Sequence, residues 1–348
     1  MPPEVEEKPV VLPAMLFPLE EVLLPGSMQV LHLYEARFLA LLDEVTAKTG
    51  GLFAHLTFHP PSADEEGLRI NQIATLVRVE EIVREDVGAK VVIVGESRVA
   101  MLDAVESDPY VRARFIAVPT MGATGTLAYT PSEDEMAEVE ALTEFIDTAV
   151  SDISTLVDRL LTDEAAEVSS ASDSDAPEAS DALENSEAAI TPDDLWDISG
   201  VMDEVEWGHA EVGNLRRAMA WAEGPSITLD NLADKSLPLE MDAADWLRPM
   251  VDEQVNHSEL QLAERLSFAC LQAAPTSTEG DLRKLVSCRN VAMSTSHGLL
   301  DRLKLGQIVL DEQRQALRAK VALKGAFGGG ATPAGKDVDQ GIEGGEGR

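Results

Sequence analysis

The 348-residue chain sets 27 Lys and Arg against 63 Asp and Glu, a formal charge of −36, and has two cysteines. Such a length supports roughly two domains of about 100–200 residues each, while the acidic excess repels phosphate backbones and anionic lipid heads and so argues against nucleic acid and membrane partners. Hydrophobic residues make up 45% and aromatics only 4%, so the core must rest on Leu, Val, Ile and Met, and no run of about 18 apolar residues offers a transmembrane helix.

The opening MPPEVEEKPV is acidic and proline-bearing, unlike a secretory signal or an Arg-rich transit peptide. From Ala14 to about Val118 the apolar period is mostly two, broken at Pro25-Gly26, Gly50-Gly51, Pro60-Pro61, Gly67, Gly88 and Pro109. Many short strands with turn signals predict a barrel or sandwich. Within it, Val77 and Val79 alternate with Arg78 and Glu80, and KVVIVGESRVAML returns after Asp86 to Gly88 as the second arm of a hairpin. PYVRARFIAV sets Val111, Ala113 and Phe115 on one face against Arg112 and Arg114 on the other. One helix interrupts the strands near Glu35, with Phe38, Leu41, Leu42 and Val45 on a stripe.

Past Pro119 the pattern becomes helical. Ser132 and Glu135 form a capping box ahead of a stripe through Met136, Val139, Leu142, Phe145 or Ile146, Ala149, Ile153, Leu156 and Leu160. Between Leu160 and Leu215 there are sixteen acids and no Lys or Arg. The stretch 163–190, nearly free of large apolar residues, is expected to be a disordered acidic insert, because it cannot offset the entropy of ordering. Helices resume after Thr191-Pro192, with segments at Asn214 to Ala222, Ala243 to Glu253, and from Ser258 through SELQLAERLSFACLQ. The last helix is expected to run from Glu279 to about Val321, weakened at Gly298 and Gly306, before a disordered glycine-rich tail at 325–348. The two helical pieces, 131–162 and 191–324, would form one bundle.

Chemistry-bearing motifs are sparse. There is no phosphate loop: ATPAGKDV lacks both a preceding strand and the hydroxyl that holds magnesium. GxSxG, CxxC and HExxH are missing, so neither a catalytic set, a metal site nor a cofactor is expected. His55 and His59 share a strand face and read as half-exposed strand residues; Cys270 and Cys288 read as reduced thiols in a reducing compartment.

The segment Phe17 to Phe38, FPLEEVLLPGSMQVLHLYEARF, closely resembles the substrate-binding amino-terminal domain of the Lon protease family. The resemblance rests on Phe17, Pro18, Leu19, Leu24, Pro25, Gly26, Leu31, His32, Leu33, Tyr34, Glu35, Arg37 and Phe38, with Gly95 and Arg98 as a later Gly-x-x-Arg. Val30 and Ala36 depart from it, where the family often has proline, and so does Leu24, where it has an aromatic. It implies an α+β fold, a PUA-like β pseudo-barrel over residues 10–120 followed by a helical bundle with a long C-terminal helix. RLSFACLQ and the helix after it look like the end of the stand-alone plastid Lon-domain proteins of plants and algae. On physical grounds the motif residues are mainly scaffold: Gly26 is free to take positive φ, Glu35 suits the helix dipole, and Arg37 can fork onto carbonyls or an acid.

By this resemblance the chain is expected to be a non-catalytic recognition or adaptor protein that holds polypeptide clients, or docks onto a protease or chaperone, through patches between barrel and bundle. Met15, Met28, Met121 and Met136 are adaptable side chains suited to such a surface. Two other readings stand beside it: a hydrolase or isomerase with an unrecognised carboxylate site, and an RNA-binding PUA-like module using Arg78, Arg84, Arg98, Arg112 and Arg114. The compartment is expected to be a plastid by resemblance, or otherwise the cytosol.

Overall fold

A computed structural model describes residues 9–59, 68–118, 131–171, 207–229, 257–272 and 279–328. Seven strands come first: β1 (Val10–Pro18), β2 (Met28–Leu33), β3 (Leu52–His59), β4 (Arg69–Ile70), β5 (Ile73–Arg84), β6 (Ala89–Glu106) and β7 (Val111–Ala117), with helix α1 (Ala36–Lys48) between β2 and β3. Five helices follow: α2 (Glu133–Ala171), α3 (Trp207–Glu223), α4 (Glu259–Ala269), α5 (Glu279–Met293) and α6 (Leu299–Gly328). The fold is α+β.

Sheet order is β1-β7-β6-β5-β3-β4, and a parallel pairing of β1 with β3, Ala14 opposite Ala54 through Pro18 opposite Phe58, brings the two ends together. The result is a pseudo-barrel and not a true one, because β6 serves two neighbours in turn. Its first half pairs with β2 (Met28 opposite Val94) and its second half with β7 (Val99 opposite Ala117), while β5 runs along its other edge. The hairpin between β5 and β6 closes at Gly88, whose φ of +100° no β-branched residue would accept.

Alternation along the strands sorts the core. Leu12, Ala14, Leu52, Ala54, Leu56, Ala74, Leu76, Val99, Ala113 and Phe115 make one buried cluster. Met15, Phe17, Leu31, Leu33, Phe53, Val77, Val91 and Ile93 make a second, closed by Leu41, Leu42 and Val45 of α1. The stripe read for α1 is the stripe it buries. Arg114 lies exposed opposite buried Ala113 and Phe115, as the alternation predicted.

In the bundle, Ser132 and Glu135 make the expected capping box, Glu135 N–H donating to Ser132 Oγ (3.3 Å) and Ser132 N–H to Glu135 Oε2 (2.8 Å). The buried stripe of α2 runs Val139, Leu142, Ile146, Ala149, Ile153 and then Val157 in place of the expected Leu156. Ion pairs Lys304–Glu138 (2.8 Å) and Arg318–Asp152 (2.9 Å) show α2 and α6 lying side by side and parallel. Ser258 and Gln261 form a second capping box at α4.

Four expectations are corrected. First, α2 continues to Ala171, nine residues into the segment expected to be a disordered insert; DEAAEVSSA is rich in Ala and Glu, and extending a formed helix costs far less than nucleating one. Second, the last helix is two helices: α5 ends at Met293 and α6 begins at Leu299, so the break falls just before Gly298 and not at Gly306. Gly306 stays helical because a Cβ there would collide with the buried Cys270 sulfur; its smallness is a packing feature. Third, α6 runs to Gly328, past the expected start of the tail, and α3 starts at Trp207 rather than Asn214. Fourth, barrel and bundle are not cleanly split, since Ile227 and Leu229, just beyond α3, join the barrel core. The expected helix at Ala243 to Glu253, residues 172–190 of the insert, and Met121 lie outside the described residues.

Candidate functional site

The motif segment wedges the barrel against the bundle. Residues Val22 to Ser27 are all buried, and Val22 and Leu24 belong to the bundle core. Gly26, at φ +81°, donates its N–H to Gly95 O (2.8 Å) and receives the face of Trp221, so that a Cβ would lie 2.6 Å from Trp221 Cε3. Gly95 returns a bond to Ser27 O (2.9 Å), and its own missing Cβ lets the Leu24 carbonyl approach. Ser27 Oγ donates to Gln272 (2.8 Å), tying the wedge to the end of α4.

Two buried polar networks flank the wedge. Glu96 accepts from Arg78 Nε (2.7 Å) and Trp221 Nε1 (3.2 Å); burial pushes its carboxyl up, opposed by the Arg78 charge. Glu264 sits between Arg98 (3.2 Å) and Arg302, and both guanidinium groups lie over the Phe268 ring. Burial, followed by the neighbouring Arg302 charge, lowers Arg98 to about 10, so it stays charged near neutrality. Arg302 is 0% exposed and also donates to Ser267 Oγ (3.1 Å) and His297 O (3.1 Å). One carboxylate serving two buried cations, with hydrogen bonds completing the set, is what makes such burial tolerable.

The open feature lies beside the wedge. A cleft of about 370 Å³ separates β3 and the start of β5 from the C-terminal turn of α5. Leu19, Val22, Leu23, Ile73 and Met293 give it apolar walls, and His59, Asn71, Thr57, Gln72, Asn290, Ser294 and Thr295 polar ones. His55, Thr57 and His59 come from alternate positions of β3, the face turned away from the Ala54 and Leu56 core. Asn71 organises the rim: its Nδ2 donates to Thr57 Oγ1 (2.8 Å), and its Oδ1 lies 3.0 Å from His59 Nε2. Thr75 Oγ1 donates to Leu23 O (2.5 Å) and lies 3.8 Å from Met293 Sδ.

His55 corrects the sequence reading. It is 2% exposed, not half-exposed, with its ring stacked on Phe17 at 3.9 Å and 5°. Burial pushes its imidazole down to about 3, outweighing a hydrogen bond with its own backbone, so it is neutral near pH 7. Its Nε2 is buried and has no hydrogen-bond partner.

Of the motif residues, only Leu19 lines the cleft; Phe17 reaches it through His55. Pro18 ends β1, and Leu31 and Leu33 are core. His32 is exposed and Tyr34 is 71% exposed. Arg37 pairs with Glu35 at the α1 N-terminus (2.8 Å), its guanidinium over Phe38. Met15 is core, whereas Met28 and Met136 are half-buried away from the cleft lining.

The arginines proposed for an RNA groove are each engaged by an acid: Arg78 by Glu96, Arg84 by Asp43, Arg98 by Glu264, Arg112 by Glu44 and Glu106, and Arg114 by Asp103. The cleft lining contains no carboxylate, so it lends the hydrolase reading no acid or base pair. Among the described residues no cluster of ligands suits a metal, and no helix is long and apolar enough to cross a membrane. Both cysteines are free and buried; burial pushes Cys270 up to about 12 and raises Cys288, so neither is an activated thiolate.

Comparison with known proteins agrees with the resemblance. The family model described as the ATP-dependent protease La (LON) substrate-binding domain matches residues 13–195. Among solved structures, the chain is similar to the N-terminal domain of Mycobacterium avium complex Lon protease, at 17% identity and a TM-score of 0.29, over 46% of this chain and 72% of that one. It is also similar to the Lon N-terminal domain protein from Xanthomonas campestris, at 22% identity and a TM-score of 0.27, over 39% and 72%. No curated protein matches it.

Proposed function

The chain belongs to the Lon substrate-binding domain family, and from that premise we propose that it recognises polypeptides without cleaving them, acting as an adaptor that presents clients to a protease or chaperone. The observation that carries this reading is the family match over 13–195, which spans the whole pseudo-barrel and all of α2. The family is named for substrate binding, so recognition is the activity it lends to this chain.

The cleft at the barrel–bundle seam supports the same reading, being concave, partly apolar and edged by a few fixed polar groups. The acidic surface would disfavour acidic clients and nucleic acid alike. The test is fluorescence anisotropy with a labelled, permanently unfolded polypeptide, followed by electrophoresis of the incubated client. Saturable binding with the client left intact is expected. Binding no stronger than that of a stable globular control, or client fragments that grow with time, would overturn the proposal.

A further inference from the structure

We propose that the cleft beside β3 is a side-chain pocket for tyrosine on a bound polypeptide, the phenol hydroxyl pairing with Nε2 of His55 and the ring lying against Leu23, Ile73 and Met293. This rests on the recognition reading above and adds the residue class that is read.

Three observations lead to it. First, the pocket has a built polar end: the His55 ring is fixed by stacking on Phe17, 98% shielded, and its Nε2 is the one lining side-chain atom recorded as buried and without a partner. A buried polar atom left unpaired is costly, and a ligand able to pair with it recovers that cost on binding. Second, the other polar groups near it are already committed. Asn71 is held by Thr57 and His59, and the Thr75 hydroxyl by Leu23 O. The pocket therefore asks for one hydrogen bond, not several. Third, its walls are apolar and polarisable, with a methionine sulfur available to the edge of an aromatic ring.

A group with an apolar planar body and a single polar tip fits this inventory, and among protein side chains that means Tyr or Trp. The choice between them follows from His55. A neutral imidazole presents Nε2 either as an acceptor or as an N–H donor, and the phenol hydroxyl can answer both, whereas an indole N–H can only donate. Phenylalanine would fill the walls and leave Nε2 unpaired. Charged side chains would enter a pocket whose lining carries no opposite charge.

The experiment uses the full chain with methyl groups of Ile and Met labelled for NMR, titrated with a neutral capped peptide bearing one central tyrosine and with its phenylalanine counterpart. Expected are shifts of the Ile73 and Met293 methyls on adding the tyrosine peptide, and roughly tenfold weaker binding of the phenylalanine peptide, the size of one hydrogen bond. Thr295→Trp, on the exposed lip of the cleft, should abolish both titrations without disturbing the fold. His55→Phe, which keeps a ring against Phe17, should bring the two peptides to equal affinity.

Equal affinity of the two peptides for the wild-type chain, unmoved Ile73 and Met293 methyls, or undiminished binding by Thr295→Trp would each overturn the inference and leave water as the occupant of the cleft. A tyrosine-free unfolded polypeptide run alongside separates the two levels. If it binds while the tyrosine peptide does not prefer the cleft, recognition stands and the pocket assignment falls; if nothing binds, both fall.

Discussion

Because His55 is neutral and buried in the fold but free to take a proton when the chain unfolds, acid should destabilise this protein through that residue. Its ordinary value is 6.5 and its folded value about 3. Between those limits the unfolded state holds more protons, so stability is fully present above about 6.5, falls as the pH drops below it, and stops falling through this group near 3. Each pH unit well inside the window is worth about 1.4 kcal/mol, so lowering the pH from about 7 to about 5 should remove about 2 kcal/mol through His55 alone. With the side chain 2% exposed, solvent screening does little to reduce that figure.

The measurement is urea unfolding at both pH values for the wild type and for His55→Gln, which cannot titrate. Carboxylates held low by arginine, such as Asp103 beside Arg114 and Asp311 beside Arg314, titrate alike in both proteins and cancel in the difference. The wild type should lose about 2 kcal/mol more than the variant over the interval. Parallel losses, agreeing within about 0.5 kcal/mol, would mean that His55 is hydrated or already protonated in the fold. The partnerless Nε2 on which the pocket assignment depends would then be wrong as well.

Three further outcomes follow from the packing. Glu264→Gln leaves Arg98 and Arg302 buried without their shared carboxylate and should cost about 3–5 kcal/mol, read from the urea midpoint; a loss under about 1 kcal/mol would show the cluster to be solvated. Gly26→Ala should cost about 1–2 kcal/mol for the left-handed backbone, plus a further loss from the Trp221 ring. In a Trp221→Ala background only the backbone part should remain, and an unchanged penalty would refute the contact. Gly306→Ala should destabilise by about 1–3 kcal/mol despite the better helix former, through the Cys270 sulfur. That penalty should shrink in Cys270→Ala, and thermal melts of the four proteins form the cycle.

The parts legible in the sequence were those governed by local period and turn chemistry. Alternation at Val111 to Phe115 placed β7 and its wet face, and the 3.6 period of Phe38, Leu41, Leu42 and Val45 placed α1 and its buried stripe. Pro25-Gly26 announced a turn, and φ +81° at Gly26 is that turn. The candidate site was legible only in fragments. His55 and His59 were visible as one strand face, but a solvated histidine and a buried one look alike in a sequence. What buries His55 is distant in the chain: Phe17 on β1 and the wall supplied by α5. Asn71, Met293 and Asn290 carried no signal at all, being ordinary residues of a link and a helix end. Gly306 was misread because helix propensity and close packing both select a small residue, and only the Cys270 sulfur tells them apart.

The order of strands and helices, the capping boxes, the acidic surface and the family were therefore written in the chain itself, because each depends on neighbours within a few residues or on composition. Tertiary structure decided the rest: the ring closed by β1 against β3, the Val22–Ser27 wedge between barrel and bundle, the carboxylate shared by Arg98 and Arg302, and the one unpaired nitrogen beside the cleft. These are contacts across long stretches of chain, where burial and charge pairing arise only once remote segments meet.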